Sequence, residues 1–245
     1  MRNLNSRDWQ RVFAVTLVFT CGAINCAEAK NPLTIESRAT KSGEKYSFVL
    51  INNAPVRLVE TQPDSADTKL LMSLPIAFTS LNKKIIGAFV HDGTVDGSVS
   101  KKLSGTIKVQ NNRFEIVDTN GGALLSKSYL DDLASNGGAL VQQFLIVRNG
   151  KPSAFKDKGV AQRRAVGTFK GGKEFIVESK GTITLAKFAN DLVALGAQDC
   201  VYSDLGAWGQ SWVRDPGTGK LIKLANENSV TENHTNWLLV SEAPD

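Results

Sequence analysis

The residues best suited to chemistry are concentrated in the stretch 199–212. Asp204 ends an apolar run and opens a loop that carries Gly206, Gly209 and Ser211. A carboxylate in such a loop can stabilise a positive transition state or activate water. Glycine-bearing backbone can present N–H groups to an anion. An aspartate that only caps the turn, and glycines that only permit its geometry, explain the same pattern.

Arginines and tryptophans supply candidate binding groups. Arg163 and Arg164 are adjacent in a strand-like segment, and guanidinium groups bind phosphate through paired hydrogen bonds. Neighbouring residues of a strand point to opposite faces, so only one of the two can face a site. A surface pair on an edge strand is the alternative. Trp208 and Trp212 can present flat faces to a sugar ring or can pack in the core.

Further polar candidates lie earlier in the chain. His91 and Asp92 follow an apolar strand-like run, and a histidine there can act as a general acid or base because its pKa lies near neutrality. A solvated loop histidine is the alternative. Gln142 and Gln143 can donate hydrogen bonds to sugar hydroxyls, and we expect one of them to face solvent. His234 belongs to a glycosylation sequon and carries no further prediction.

The elements that must position these residues are mixed. Alternating or continuous apolar runs predict several strands, and helical spacing after Thr184, a good N-cap, predicts a helix over 185–195 that ends at Gly196. Shorter helices are predicted over 63–75 and 126–137. The sequence also predicts a strand over 45–51 ("KYSFVLI") and tight turns at Asn111-Asn112, Asn149-Gly150 and Gly171-Gly172. We therefore predict an α+β fold, a single mixed domain of β-sheet with packed helices spanning 30–245.

The N-terminus has the pattern of a cleaved signal peptide over residues 1–29. Three arginines precede a short apolar run over 12–24, and small residues occupy the positions before a cut at Lys30. The pattern predicts a periplasmic or secreted protein with no integral membrane segment after cleavage. A retained membrane anchor is the alternative.

Composition excludes several function classes. The chain has 245 residues and a formal net charge of +5, without the aromatic and basic interleaving of nucleic-acid binders. Cys200 is the only cysteine outside the N-terminal segment, and a single cysteine cannot form an internal disulfide or a structural zinc site. We expect it to be a small buried hydrophobic residue, and we expect neither a cofactor nor a metal.

The late part of the chain resembles the phosphodiester glycosidase family. The ordered block "QRRAVGTFKGGKEFIVESKGTITLAKFANDLVALGAQDCVYSDLGAWGQSW" is similar to that family's arginine-containing strand, hairpin, helix and glycine-rich loop. "QQFLIVRNGKPS" before it and "TNWLLV" after it fit the same order. The resemblance implies a phosphate-binding role for Arg163, a cleft-edge position for His91 and Asp92, and a polar site role for Asn236.

The function implied is hydrolysis of the glycosidic bond of a sugar-1-phosphodiester in a glycoconjugate or envelope polymer. The expected partner is therefore a carbohydrate phosphodiester, not a nucleic acid. The chain departs from the family at Ile86, where asparagine is usual, and in the 204–211 loop, which lacks the triple glycine. These departures keep a second hypothesis open, a non-catalytic glycan- or partner-binding module of the same fold.

Overall fold

The computed structural model describes residues 31–80, 82–204, 211–224 and 234–243, and these residues form a mostly β structure. In chain order the strands are β1 (Leu33–Ala39), β2 (Lys45–Ile51), β3 (Val56–Val59), β4 (Leu70–Pro75), β5 (Gly87–His91), β6 (Thr94–Ser98), β7 (Gly105–Gln110), β8 (Arg113–Asp118), β9 (Ala139–Gln143), β10 (Leu145–Arg148), β11 (Lys151–Pro152), β12 (Val160–Ala161), β13 (Arg164–Phe169), β14 (Glu174–Ser179), β15 (Ile183–Thr184), β16 (Ala197–Ser203), β17 (Trp212–Arg214), β18 (Leu221–Lys223) and β19 (Trp237–Ser241). The helices are α1 (Lys127–Ser135) and α2 (Leu185–Ala194).

The predicted α+β class is wrong, because only two helices accompany several antiparallel sheets in the described residues. The helix predicted over 63–75 is instead a turn region followed by β4. All six residues of β4 are buried. A strand buried on both faces has a continuous apolar run, and such a run lacks the period-2 signal that separates strand from helix. The predicted signal peptide lies outside the described residues.

The largest sheet has seven strands in the order β1-β2-β14-β13-β16-β10-β11, with antiparallel pairing throughout. The β13–β14 hairpin turns at Gly171 and Gly172, whose φ angles of 93° and 82° require glycine-like freedom. This confirms the hairpin predicted from the two glycines. The register sets Arg164 opposite both Glu178 and Ser203.

Two five-stranded sheets share an apolar core with the large sheet. Their orders are β18-β17-β4-β19-β3 and β6-β5-β9-β7-β8, and a small β12-β15 pair stands apart. Val166 of the large sheet, Leu238 of the first smaller sheet and Phe89 of the second are fully buried members of one cluster. We call the face of the large sheet that meets this cluster its inner face.

The helices cover the outer surfaces of the sheets. Thr184 caps α2 by accepting a hydrogen bond from the Lys187 N–H, as predicted, and such a cap contributes about 1 kcal/mol. Phe188 and Leu192 of α2 pack against the face of the large sheet that lies opposite the inner face. Ser126 caps α1, which covers the sheet containing β5. No helix in the described parts of the chain is long and apolar enough to cross a membrane.

Candidate functional site

Arg164 is the central charged residue of the candidate site and is completely buried on the inner face. Its Nε donates to Glu178 Oε1 at 2.6 Å, and Nη2 lies 2.5 Å from the same oxygen. Burial raises the pKa of Glu178, while the Arg164 charge acts in the opposite direction and keeps the carboxylate paired. A buried charge is tolerated only when it is paired in this way.

The same guanidinium holds both sides of the predicted glycine-bearing loop. Nη1 donates to the Asp204 carbonyl at 3.2 Å, and Nη2 donates to Ser211 Oγ. Gly206, Trp208 and Gly209 lie between these two contacts and outside the described residues. Arg164 therefore fixes where the segment carrying the candidate carboxylate leaves the sheet and where the chain returns.

Asp204 lies just past the end of β16 and is largely buried. Its N–H donates to the Ile76 carbonyl at 3.1 Å, which ties it to the segment that follows β4. The pKa of Tyr202 is raised, mainly by burial, and the negative charge of Asp204 contributes to the rise. Asp204 and Tyr202 therefore interact at the same end of the sheet.

Asn236 joins the segment after β4 to the start of β19. Its Oδ1 accepts from the N–H groups of Ile76, at 3.3 Å, and Ala77, at 2.6 Å. Its Nδ2 donates to Thr79 Oγ1 at 3.0 Å. The polar site role of Asn236 remains a prediction. Its side chain holds the backbone segment whose Ile76 carbonyl accepts the Asp204 N–H.

His234 belongs to this group and was missed by sequence reasoning. Its Nδ1 lies 3.5 Å from Thr79 Oγ1, and its ring packs edge-on against Trp237 at 5.9 Å between centroids. Burial and then the Arg164 charge lower the pKa of His234 to about 4, so the imidazole is neutral near pH 7. Its place two residues before Asn236 was the available signal.

Arg163 points to the other face, as strand alternation predicts. Its Nε donates to the Ile183 carbonyl at 3.2 Å and its Nη2 to the Gly159 carbonyl at 2.7 Å. Its Nη1 lies 3.5 Å from Tyr202 Oη. We call this side, with Tyr202 and α2, the outer face. The predicted phosphate contact of Arg163 remains a prediction.

The two glutamines are both completely buried, so neither faces solvent. Gln142 Oε1 accepts from the N–H groups of Ala88 and Ser100, and Nε2 donates to the carbonyls of Ser100 and Leu103. The whole Gln142 amide is therefore engaged with backbone. Gln143 is nearer to Asp204, since its Nε2 donates to the Ile76 carbonyl at 3.4 Å.

His91 and Asp92 sit in a different place, at the tip of the β5–β6 hairpin. His91 Nε2 lies 2.9 Å from Asp96 Oδ2, and its ring packs on Phe89. Val90 pairs with Leu140, so His91 lies beyond Leu140 along β9, away from the Gln143 end. The structure therefore places this pair with its own hairpin partners and not with Asp204.

The two remaining candidates, Trp212 and Cys200, are packed in the protein interior. Trp212 is buried with Leu70 and Leu239, which favours the core-packing alternative. Cys200 is completely buried, and burial raises its thiol pKa well above the ordinary value, as expected for a small apolar residue. No cluster of three histidine, cysteine, aspartate or glutamate side chains suited to a metal occurs among the described residues.

No family model matches the chain, and no curated protein matches its sequence. Solved structures do share its fold. One is the zebrafish N-acetylglucosamine-1-phosphodiester alpha-N-acetylglucosaminidase catalytic domain auto-inhibited by its pro-peptide, with a TM-score of 0.57 and 12% identity over 86% of this chain and 82% of that one. A Synechocystis protein has a TM-score of 0.52 and 13% identity, over 86% and 62% of the two chains.

A third similar structure is that of a Burkholderia pseudomallei K96243 protein described as exported. Its TM-score is 0.55 at 10% identity, over 81% of this chain and 74% of that chain. At such identities the likeness establishes a distant relationship in fold and no more.

Proposed function

We propose that the protein is a secreted or periplasmic hydrolase that cleaves the glycosidic bond of a sugar-1-phosphodiester. The observation that carries the proposal is the position of Arg164, which binds both the Asp204 carbonyl and Ser211 and lies close enough to His234 to lower its pKa. The Asp204 backbone, the Ser211 hydroxyl and the neutral His234 imidazole thus all lie close to one guanidinium. The fold likeness to a glycosidase catalytic domain supports the same reaction class.

The reaction requires water to attack the anomeric carbon while the bond from that carbon to the phosphate oxygen breaks. The products are the free sugar and a phosphate monoester, and the proton of the attacking water is released. In this proposal Asp204 stabilises the positive charge that develops on the sugar. His234, neutral at pH 7, accepts the proton from water.

The two arginines have separate roles in this proposal. Arg164 is neutralised by Glu178 and its donors are engaged inside the protein, so it holds the site in shape. The negative charge that compensates Arg163 is weaker. Asp157 Oδ2 lies 3.6 Å from Arg163 Nη2, and the Asp157 side chain is more than half exposed. In this proposal the less compensated charge of Arg163 attracts the phosphate group, although its side chain is buried and donates to the Ile183 and Gly159 carbonyls.

A second candidate function is a non-catalytic glycan-binding module of the same fold. The hydrogen bonds of Arg164 favour this second function. They go to Glu178, Asp204 and Ser211 of the protein itself, so the arginine does not need a substrate for its stability. The two functions differ in the role of Asp204, which is needed for turnover in the first and only for the structure of the site in the second.

Release of N-acetylglucosamine from its p-nitrophenyl 1-phosphodiester tests the proposal. We expect turnover by the purified protein and a loss of about 10³-fold in kcat/KM for Asp204→Asn. Asp199→Asn is the matched control on the same strand, and it should keep wild-type activity because its Oδ1 contact to Asn149 N–H survives in asparagine. Wild type without turnover on a panel of sugar-1-phosphodiesters, or an Asp204→Asn variant as active as wild type, would overturn the proposal.

Export is proposed from the arginine-then-apolar N-terminal pattern. Sequencing the N-terminus of protein recovered from the periplasm or medium tests it. We expect the chain to begin at Lys30, and an intact Met1 terminus retained in the membrane fraction would contradict cleavage.

A further inference from the structure

A row of half-buried aromatic rings extends from the candidate site along the outer face. Phe78 lies 5.8 Å from Tyr202 and 5.8 Å from Phe144, and Phe144 lies 6.4 Å from Phe155, all between ring centroids. The three phenylalanines are only partly buried against the outer core. We call Phe78, Phe144 and Phe155 the phenylalanine row.

The row is continuous with the segments that hold Asp204. Phe78 follows Ile76, whose carbonyl accepts the Asp204 N–H. Phe144 follows Gln143, whose amide reaches the same carbonyl, and the Phe144 carbonyl accepts the Tyr202 N–H at 2.9 Å. A ligand that reaches from Asp204 toward the outer face therefore meets the row directly.

Positive charge borders the row on the same side. Arg163 Cζ lies 5.9 Å from the centre of the Tyr202 ring. Lys156 and Lys158 are exposed on the segment that carries Phe155, with Asp157 between them. An anionic group bound at Arg163 would thus have an apolar surface beside it, with cations rather than carboxylates in the majority.

The ring geometry separates two kinds of ligand. Phe78 and Phe144 meet at 69°, and Phe144 and Phe155 at 82°, so successive rings alternate between face and edge. A pyranose stacks on one flat face and needs polar partners for its hydroxyls, and phenylalanine offers none. A ridged apolar surface of this kind suits a flexible hydrocarbon chain.

We infer that the phenylalanine row binds the aglycone of the phosphodiester, and that this aglycone is the apolar chain of a long-chain alcohol. The inference rests on the proposed function for the identity of the bond that is cleaved. It adds the class of substrate, a sugar-1-phosphate ester of a lipid-like alcohol with the phosphate beside Arg163 and the chain along the row.

Binding of octyl phosphate and ethyl phosphate, measured by calorimetry below the micelle concentration, tests the row without requiring turnover. Wild type should bind octyl phosphate at least about tenfold more tightly than ethyl phosphate, because several methylenes leave water. Phe155→Ala should reduce that preference to at most about threefold. Phe169→Ala is the matched control, a half-buried phenylalanine at the far end of β13 that packs on Arg38, and it should keep the preference.

The same variants are then compared on octyl and ethyl esters of N-acetylglucosamine 1-phosphate. We expect wild type to prefer the octyl ester in kcat/KM and Phe155→Ala to lose the preference while it still hydrolyses the ethyl ester. Equal binding of the two phosphates by wild type, or an octyl preference that survives Phe155→Ala, overturns the inference even if sugar is released. An octyl preference lost in Phe155→Ala but without hydrolysis of either ester supports the apolar subsite and defeats the hydrolase proposal.

Discussion

Two adjacent arginines have different partners on the inner and outer faces of the large sheet. Arg164, on the inner face, is completely buried, ion-paired with Glu178 and bonded to both sides of the loop that follows Asp204. Arg163, on the outer face, binds backbone carbonyls of neighbouring segments and has an exposed, more distant carboxylate, Asp157, as its counter-charge.

In the proposed function, this difference separates the residues that hold the site together from those that recognise the ligand. On the inner face, Arg164 donates to the Asp204 carbonyl, and Asn236 accepts from the backbone after β4. These hydrogen bonds fix the position of the Asp204 backbone. On the outer face, three phenylalanine rings are partly exposed, and the buried Arg163 has the exposed Asp157 carboxylate as its counter-charge. Arg163 and Arg164 thus have different surroundings because neighbouring residues of a strand point to opposite faces.

The largest expected effect comes from Arg164→Met. It leaves the Glu178 charge buried without its partner, so we expect the free energy of unfolding to fall by about 3–5 kcal/mol. Arg163→Met should cost only about 1–2 kcal/mol, because its lost partners are mainly neutral carbonyls. Urea denaturation measures both, with the exposed Arg148→Met as a neutral control. Equal losses for the two arginines would remove the distinction between the faces.

The pH dependence of stability tests the inner face at His234. Its pKa falls from 6.5 to about 4 on folding, so the unfolded chain binds more protons between these values. The free energy of unfolding should therefore rise with pH across this window, reach its full value above 6.5 and lose about 3 kcal/mol as the pH falls to 4.

His234→Gln removes the titrating group and should flatten that pH dependence, whereas His91→Gln, in the β5–β6 hairpin, should leave the His234 contribution in place. Denaturation at a series of pH values measures the slopes. A wild-type slope that survives unchanged in His234→Gln would show that the imidazole is not held neutral by its surroundings.

Tyr202→Phe should give the smallest effect. Among the described residues, the Tyr202 hydroxyl contacts Arg163 at a long 3.5 Å, so its removal should change the free energy of unfolding by less than about 1 kcal/mol. Thermal and urea denaturation provide the measurement. A loss as large as that of Arg164→Met would mean that the outer face is as tightly coupled as the inner face.

Local signals in the sequence predicted local structure well. The Asn111-Asn112 and Asn149-Gly150 turns occur where expected, with positive φ at each of these residues, because such turns depend on the residues within them. The Thr184 cap and the strand "KYSFVLI" are also as predicted. The predicted α+β class was wrong because strands greatly outnumber the two helices in the described residues, and the Asp/Ser start and apolar spacing of 63–75 belong to a turn region and the buried strand β4.

The site required long-range information. Strand alternation predicted that the arginines diverge, but only the register with Ser203 shows which of them enters the core. His91 fitted a catalytic role by residue type, yet its partners lie within its own hairpin. His234 reaches the site through Thr79, which is 155 positions away in sequence, and no local pattern encodes that contact.

The most direct test of the central claim is the fate of solvent oxygen during turnover in ¹⁸O-labelled water. With N-acetylglucosamine 1-phosphate ethyl ester as substrate, attack at the anomeric carbon should place the label in the released sugar and leave the ethyl phosphate unlabelled. Asp204→Asn should release the labelled sugar about 10³-fold more slowly. Label found in the phosphate product would show cleavage of a phosphorus–oxygen bond, and the glycosidase account of this site would be wrong.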